Sequence, residues 1–230
     1  MSKTFFNFPV RLLQGAFDDI ASTMDQIIDY ATFVHASKLD HITIKQRMNA
    51  ASDFFGIRIP NPEASYRRGQ SLFAENKKSP MTGIKKELCF DFMNNHKTTD
   101  EIAVLLGYLA VKSILGNKPY ACITNSFLIA RMGGYSGIKD LPANLPQPLA
   151  SYSTRRKLDR LKQTLMLNWG VNIYSHLMKG FYISMDSVLP LEKLIIEAEK
   201  RRNKFVISNL KKKTDEARQK ALMLLSRSSN

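Results

Sequence analysis

Apolar residues recur along most of this chain at steps of three and four, the spacing that lines one face of an α-helix. Met24, Ile27, Ile28, Ala31 and Val34 form such a face within residues 23–35. Ser22 or Thr23 would cap that helix, with Asp25 in its first turn, where the dipole favours a carboxylate. Residues 8–17 carry the same mixed steps and read as helical too. A further helix is expected over 44–55, closed by Gly56, a residue able to take the left-handed conformation at a helix end. Ile59-Pro-Asn-Pro62 then enforces a break. Residues 64–75 suit another helix, 76–83 are turn-rich, and 85–93 lean to helix.

From residue 98 the pattern sharpens. Thr98 or Thr99 begins a helix with Asp100 and Glu101 in its first turn and Gly116 past its last. Its face is broad: Ile102, Leu105, Leu106, Leu109, Ala110 and Ile114. Pro119-Tyr-Ala-Cys-Ile123 predicts a short strand, and Thr124 or Asn125 caps a helix over 126–132 that Gly133-Gly134 stops. Residues 135–152 contain Pro142, Pro146 and Pro148, which exclude a regular helix throughout and read as an insertion, either a functional loop or a flexible ornament. Residues 154–169 carry Leu158, Leu161, Leu165 and Trp169 on one narrow stripe that must face a core, packing on the helix that begins at Thr98 or Thr99. Two β-rich runs follow, Val171-Asn-Ile-Tyr-Ser-His-Leu177 and Phe181-Tyr-Ile-Ser-Met185, around the turn Met178-Lys179-Gly180. Beyond Pro190 a long helix pattern (Leu191, Leu194, Ile195, Ala198) leads into Lys200-Arg-Arg202 and Lys211-Lys-Lys213. Its stripe weakens after Phe205, so the end is expected to fray.

Helix, strand, helix, basic helix and hairpin is the order of a winged helix-turn-helix, and residues 99–185 resemble the winged-helix domains of bacterial transcription regulators and of plasmid and phage replication initiators. The resemblance is carried by Glu101-Ile-Ala-Val-Leu-Leu-Gly-Tyr-Leu109, by Tyr120-Ala-Cys-Ile-Thr-Asn-Ser-Phe-Leu-Ile-Ala-Arg-Met132, and by Leu158-Asp-Arg-Leu161 leading to Trp169-Gly170. It covers less than half of the chain. Elsewhere, Phe5-Phe-Asn-Phe-Pro9 and Leu115-Gly-Asn-Lys-Pro119 look like segments of an uncharacterised bacterial protein group. The expected fold is mainly α with a small β-hairpin wing. It divides into an N-terminal helical region (1–95), the winged helix-turn-helix with its Pro-rich insertion (96–188), and a basic C-terminal helix or partly disordered tail (189–230).

Charge strengthens this reading. Lys and Arg number 34 against 20 Asp and Glu, a net charge of +14, and the pI is near 9.8. Residues 1–60 are balanced at six against six, whereas 151–185 hold six cations against one acid and 186–230 eleven against six. The excess lies on the basic helix and after it, as expected of a double-stranded DNA binder. The helix face opposite the leucines presents Arg156, Arg160 and Gln163, with Lys157 and Thr164 beside them and Arg155 in the first turn. These could reach phosphates and base edges. Arg131 and the wing-tip residues His176 and Lys179 complete the expected DNA-binding set. The plain alternative is a solvated helix face and an ordinary exposed turn. The tail cations Lys200-Arg-Arg202 and Lys211-Lys-Lys213 would add non-specific phosphate contacts, or the charged helix would cover the domain or pair with a second subunit in a homodimer.

Enzyme chemistry has little support, leaving only a site assembled from residues distant in sequence as a third reading. His35, His41, His96 and His176 are scattered without metal-ligand spacing, and Gly133-Gly-Tyr-Ser-Gly137 lacks the ending of a phosphate-binding loop. Asp18, Asp19, Asp25 and Asp29 read as a solvated helix face, because no basic partner lies near them in sequence. Cys89 and Cys122 lack CxxC spacing, lie among apolar residues and read as buried free thiols of a cytoplasmic protein. No signal peptide or spanning helix is expected, nor any cofactor, metal, membrane partner or small-molecule ligand. The function expected is regulation of transcription or replication in a bacterial mobile element. The alternative is a protein-interaction or scaffold module that reuses the winged helix without binding DNA.

Overall fold

The computed structural model describes residues 5–175 and 180–228, with side chains through residue 220. Eight α-helices and two small antiparallel sheets are present among these residues. The N-terminal sheet is where the chain departs furthest from its local pattern. Phe5–Pro9 forms strand β1 and Val10–Leu13 a single 3-10 turn, in place of the helix expected over 8–17. Its partner β2, Met81–Lys85, includes residues expected to be turn. The strands pair with Phe6 opposite Ile84 and Phe8 opposite Thr82. Phe6 and Phe8 are buried and Asn7 is exposed. That alternation is a strand signal, but three residues of it are outweighed locally by the helix-spaced Val10, Leu13 and Phe17. Pairing with a strand more than 70 residues along the chain, and burial of Phe6, Phe8 and Ile84 in the core, stabilise it.

Helix α1 (Ile20–Ala36) starts three residues before the expected position, because Asp19 accepts a hydrogen bond from the Ser22 backbone N–H at 2.9 Å and so serves as its cap. It packs against α2 (Ile44–Phe55), α3 (Pro62–Glu75), α4 (Lys86–Asn94) and β1. Gly56 ends α2 with φ +60°, the left-handed cap expected there. Helix α3 meets α1 at Gly69, where an added Cβ would overlap the Asp29 carbonyl oxygen and Phe33 Cβ. Asp29 corrects the expectation of a solvated acid. It is only 6% exposed and its carboxylate accepts hydrogen bonds from the Ser65 hydroxyl and from Arg68 Nε at 2.6 Å. Arg68 lies 39 residues along the chain, so nearness in sequence could not reveal the pair.

Helix α5 (Thr99–Leu115) is buried on most of its surface and opens with a reciprocal capping box between Thr98 and Glu101. After it come β3 (Tyr120–Ile123), α6 (Asn125–Met132), α7 (Arg155–Asn168), β4 (Val171–Tyr174) and β5 (Phe181–Met185). Leu158, Leu161 and Leu165 are buried as their stripe predicts, facing α5 beside Gly107. Trp169 sits just past the helix end with its ring 4.9 Å from that of Tyr108. Gly170, at φ +61°, turns the chain into the hairpin. Strand β5 lies between β3 and β4 and is antiparallel to both. Strict alternation assigns the faces of this sheet. Ile123, Val171, Phe181 and Ile183 enter the main core, whereas Tyr182, with Tyr120 and Tyr174, packs against Leu194 and Ala198 of α8 (Leu191–Ser228). The same alternation corrects the reading of the cysteines: Cys89 is buried on α4, but Cys122 is exposed on β3.

The insertion is tied down. Its 3-10 turns cover Ile138–Asp140 and Leu149–Ser153, and Leu149 and Tyr152 are buried. The Tyr152 ring stacks on Phe17 at 6.2 Å and its hydroxyl donates to Asp100. One buried cluster therefore runs from Phe6 through Tyr152 to Ile183, so the N-terminal elements and those from α5 to β5 share a core. No helix among the described residues is long and apolar enough to cross a membrane.

Candidate nucleic-acid interface

Helices α4 and α7 begin without a side-chain cap. α1, α2, α3, α5 and α6 each have a side chain that accepts from a first-turn amide. At α7 the Thr154 hydroxyl instead donates to the Ser151 carbonyl at 2.9 Å, and no side chain caps the helix. Its first turn holds Arg155, Arg156 and Lys157 and no acid. Cations at the positive end of a helix, next to amides without side-chain acceptors, are unfavourable to the free protein and favourable to a bound anion.

The expected contact residues separate into three groups. Arg156, Arg160 and Gln163 lie together on the exposed face opposite the leucines, and their side chains make no hydrogen bond or ion pair with any described residue. Arg155, Lys157 and Thr164 are partly engaged. Arg155 Nε lies 3.5 Å from Asp159, Lys157 Nζ donates to Ser151 Oγ at 3.0 Å, and the half-buried Thr164 hydroxyl donates to the Arg160 carbonyl at 3.1 Å. Arg131 is not at the surface. It is 6% exposed, donates to Ser113 Oγ at 2.8 Å and to the Ser136 carbonyl at 3.0 Å, and its guanidinium stacks 5.2 Å from the Phe127 ring centre. Burial draws its pKa down. The end of α6 faces α5 rather than solvent, which removes Arg131 from the expected phosphate contacts. His176 and Lys179 lie outside the described residues.

Two residues of α7 escaped the sequence reading. Leu167 is 75% exposed, in the row formed by Arg156, Arg160 and Gln163. Its four-residue step from Gln163 places it there, but an apolar residue at the end of a helix is ordinarily assigned to the core. Lys162 spans from α7 to two other elements. Its Nζ donates to Asn125 Oδ1 at 2.7 Å and lies 3.9 Å over the Phe181 ring, and burial lowers its pKa. It positions α7 relative to the start of α6 and the hairpin.

On α8 the first basic cluster is partly neutralised, with Lys200 2.8 Å from Glu197, Arg202 3.2 Å from Glu199, and Arg201 over the Tyr120 ring at 5.0 Å. Lys211, Lys212 and Lys213 are exposed with no such partner. Comparison with protein-family models, curated proteins and solved structures returns no match to this chain.

Proposed function

We propose that this chain binds double-stranded DNA through α7, as the recognition helix of a winged helix-turn-helix. The observation that carries the reading is the conjunction of order and exposure: α5, β3, α6, α7 and the β4–β5 hairpin in sequence, β5 central in the sheet, and Arg156, Arg160 and Gln163 unpaired on the outward face of α7. Arginine and glutamine side chains suit bidentate contacts in a major groove, and the uncapped, cation-bearing start of α7 suits a phosphate. The hairpin is the wing, and the lysines of α8 add sequence-independent attraction. Regulation of transcription, or of replication of a mobile element, is the role such a module would serve in a bacterial cytoplasm.

Fluorescence anisotropy with a random duplex at two salt concentrations tests this. Binding at low salt should weaken with a log–log slope of about −0.9 per phosphate neutralised. Absence of binding even at low ionic strength refutes it. The exposed Leu167 favours a second reading, a protein-docking surface on the same face, since an apolar side chain amid cations fits a protein partner as well as a thymine methyl. In that case Leu167→Ser leaves DNA binding absent in both proteins but abolishes a partner complex.

A further inference from the structure

Between α4, the start of α5 and the inner flank of α7 lies a cleft of about 510 Å³, within the size range of small-molecule sites. Its floor is apolar: Leu88, Phe92, Val104, Leu161 and Trp169. Its rim carries three acids, Asp91, Asp100 and Glu101, and three cations, Lys97, Lys157 and Arg160. The formal charges cancel, but only Lys97 and Asp91 are paired with each other.

Every acid is already engaged. Asp91 accepts from Lys97 Nζ at 2.6 Å and from Asn95 Nδ2 at 2.7 Å. Asp100 accepts from the Tyr152 hydroxyl, and Glu101 from the Thr98 backbone N–H at 2.8 Å and Oγ1 at 2.7 Å. The cations differ. Lys97 is held by Asp91, but Lys157 reaches only the neutral Ser151 Oγ and the Tyr152 ring, 5.3 Å away. The Arg160 guanidinium has no partner among the described residues. Asp100 and Glu101 each keep one oxygen without a hydrogen bond from any described residue, yet each acid lies beside its donor, whereas Lys157 and Arg160 form no ion pair with any described residue; the rim thus holds two unpaired cations above an apolar floor.

We infer that this cleft binds a small organic anion with an apolar body, of the aryl or fatty carboxylate class, its carboxylate held by Arg160 and Lys157 and its body lying on Phe92, Val104 and Trp169. A carboxylate offers only acceptors, matching the unspent donors, and Arg can hold it through two parallel bonds. Arg160 also belongs to the outward face of α7, so occupancy withdraws it from a duplex, and ligand and DNA compete. The competition rests on the DNA-binding reading; the ligand site does not.

Trp169 is the only tryptophan of the chain and lines the cleft, so its emission reports occupancy. The full-length protein is titrated with 2-naphthoate, with dodecanoate and with uncharged 2-naphthamide, and heats are measured in parallel by calorimetry. Saturable quenching by a carboxylate is expected, with the amide about tenfold weaker. Arg160→Gln, at an exposed position, should fold normally by circular dichroism and lose the preference for carboxylate over amide. Val104→Phe should fill the cleft and block both, leaving Trp169 as the single indole. No saturable signal from either carboxylate up to millimolar concentration overturns the site, as does an Arg160→Gln protein with unchanged preference. Anisotropy with a labelled duplex then reads the competition: displacement by 2-naphthoate but not by 2-naphthamide supports it. Undiminished DNA binding by the saturated protein overturns the competition alone. Loss of all DNA binding in the free protein refutes the DNA reading and leaves the fluorescence result standing.

Discussion

Gly69 and Gly107 are both buried glycines in helix interiors, yet replacing each with alanine should have unequal consequences. On propensity alone either change favours the helix by about 1 kcal/mol. At Gly107 the new Cβ would lie 3.3 Å from Leu165 Cδ1 and 3.5 Å from both Leu161 methyls, which are the ends of flexible side chains. Small shifts of those leucines relieve the contact, and the net change should stay within about 1 kcal/mol of zero. At Gly69 the Cβ would overlap the Asp29 carbonyl oxygen and Phe33 Cβ and lie 3.1 Å from the Asp29 carbonyl carbon. That obstacle is backbone, so α1 and α3 must separate, disturbing the buried Asp29–Ser65 contact between them. Overpacking of this kind costs about 1–3 kcal/mol, with about 1 kcal/mol or more to add for a weakened buried hydrogen bond, and the propensity gain offsets only part of it. Gly69→Ala should therefore be destabilised by about 2 kcal/mol. Urea unfolding followed by Trp169 emission measures both variants, and at unchanged slope the midpoint shift gives the difference. A Gly69→Ala protein as stable as the parent would refute the close α1–α3 approach.

If Arg156 and Arg160 contact bases, replacing either with alanine should weaken binding to a selected site by about 1–3 kcal/mol and relax preference at one position, whereas neutralising Lys211, Lys212 and Lys213 should weaken all sequences alike and flatten the salt slope. Competition anisotropy separates the two, and wild-type preference in both arginine mutants would remove α7 as the reader. Arg131→Met should leave duplex affinity within about twofold of wild type, because its guanidinium is spent on Ser113 and Ser136; a tenfold loss would return it to the interface. Hydrogen bonds from Lys97 and Asn95 hold the Asp91 carboxyl below the usual carboxylate range in the folded protein. Its contribution is therefore present above the ordinary aspartate pKa and is lost as pH falls through the lowered one. Asp91→Asn should flatten the acid limb of a stability–pH curve, and an unchanged limb would dismiss the pair as a source of stability.

What the sequence discloses follows the range of the interactions involved. Caps, the α7 stripe and the hairpin are local, and Thr98, Thr124, Leu158, Leu161 and Leu165 occupy the roles their spacing assigns. The β1–β2 sheet is invisible locally because neither strand has enough alternation to stand without the other. The same holds for charges. Asp29 reads as solvated until Arg68 arrives on another helix, and Arg131 reads as a surface cation until the packing of α6 on α5 encloses it. The cleft belongs to no single segment, being closed only when α4 meets α5 and α7.

Helix α8 is anchored to the sheet through Leu194 and Ala198, yet every described side chain from Asn203 onward is exposed. A helix without tertiary support is held by its own hydrogen bonds, and such a segment loses them gradually with temperature rather than in one step. Heating should thus drain far-ultraviolet dichroism along a sloping line well before the packed body gives way, while Trp169 senses only the later, cooperative transition. Peptide dichroism and indole emission would then yield different apparent midpoints from a single sample, each of them genuine, because rod and body do not melt as one unit.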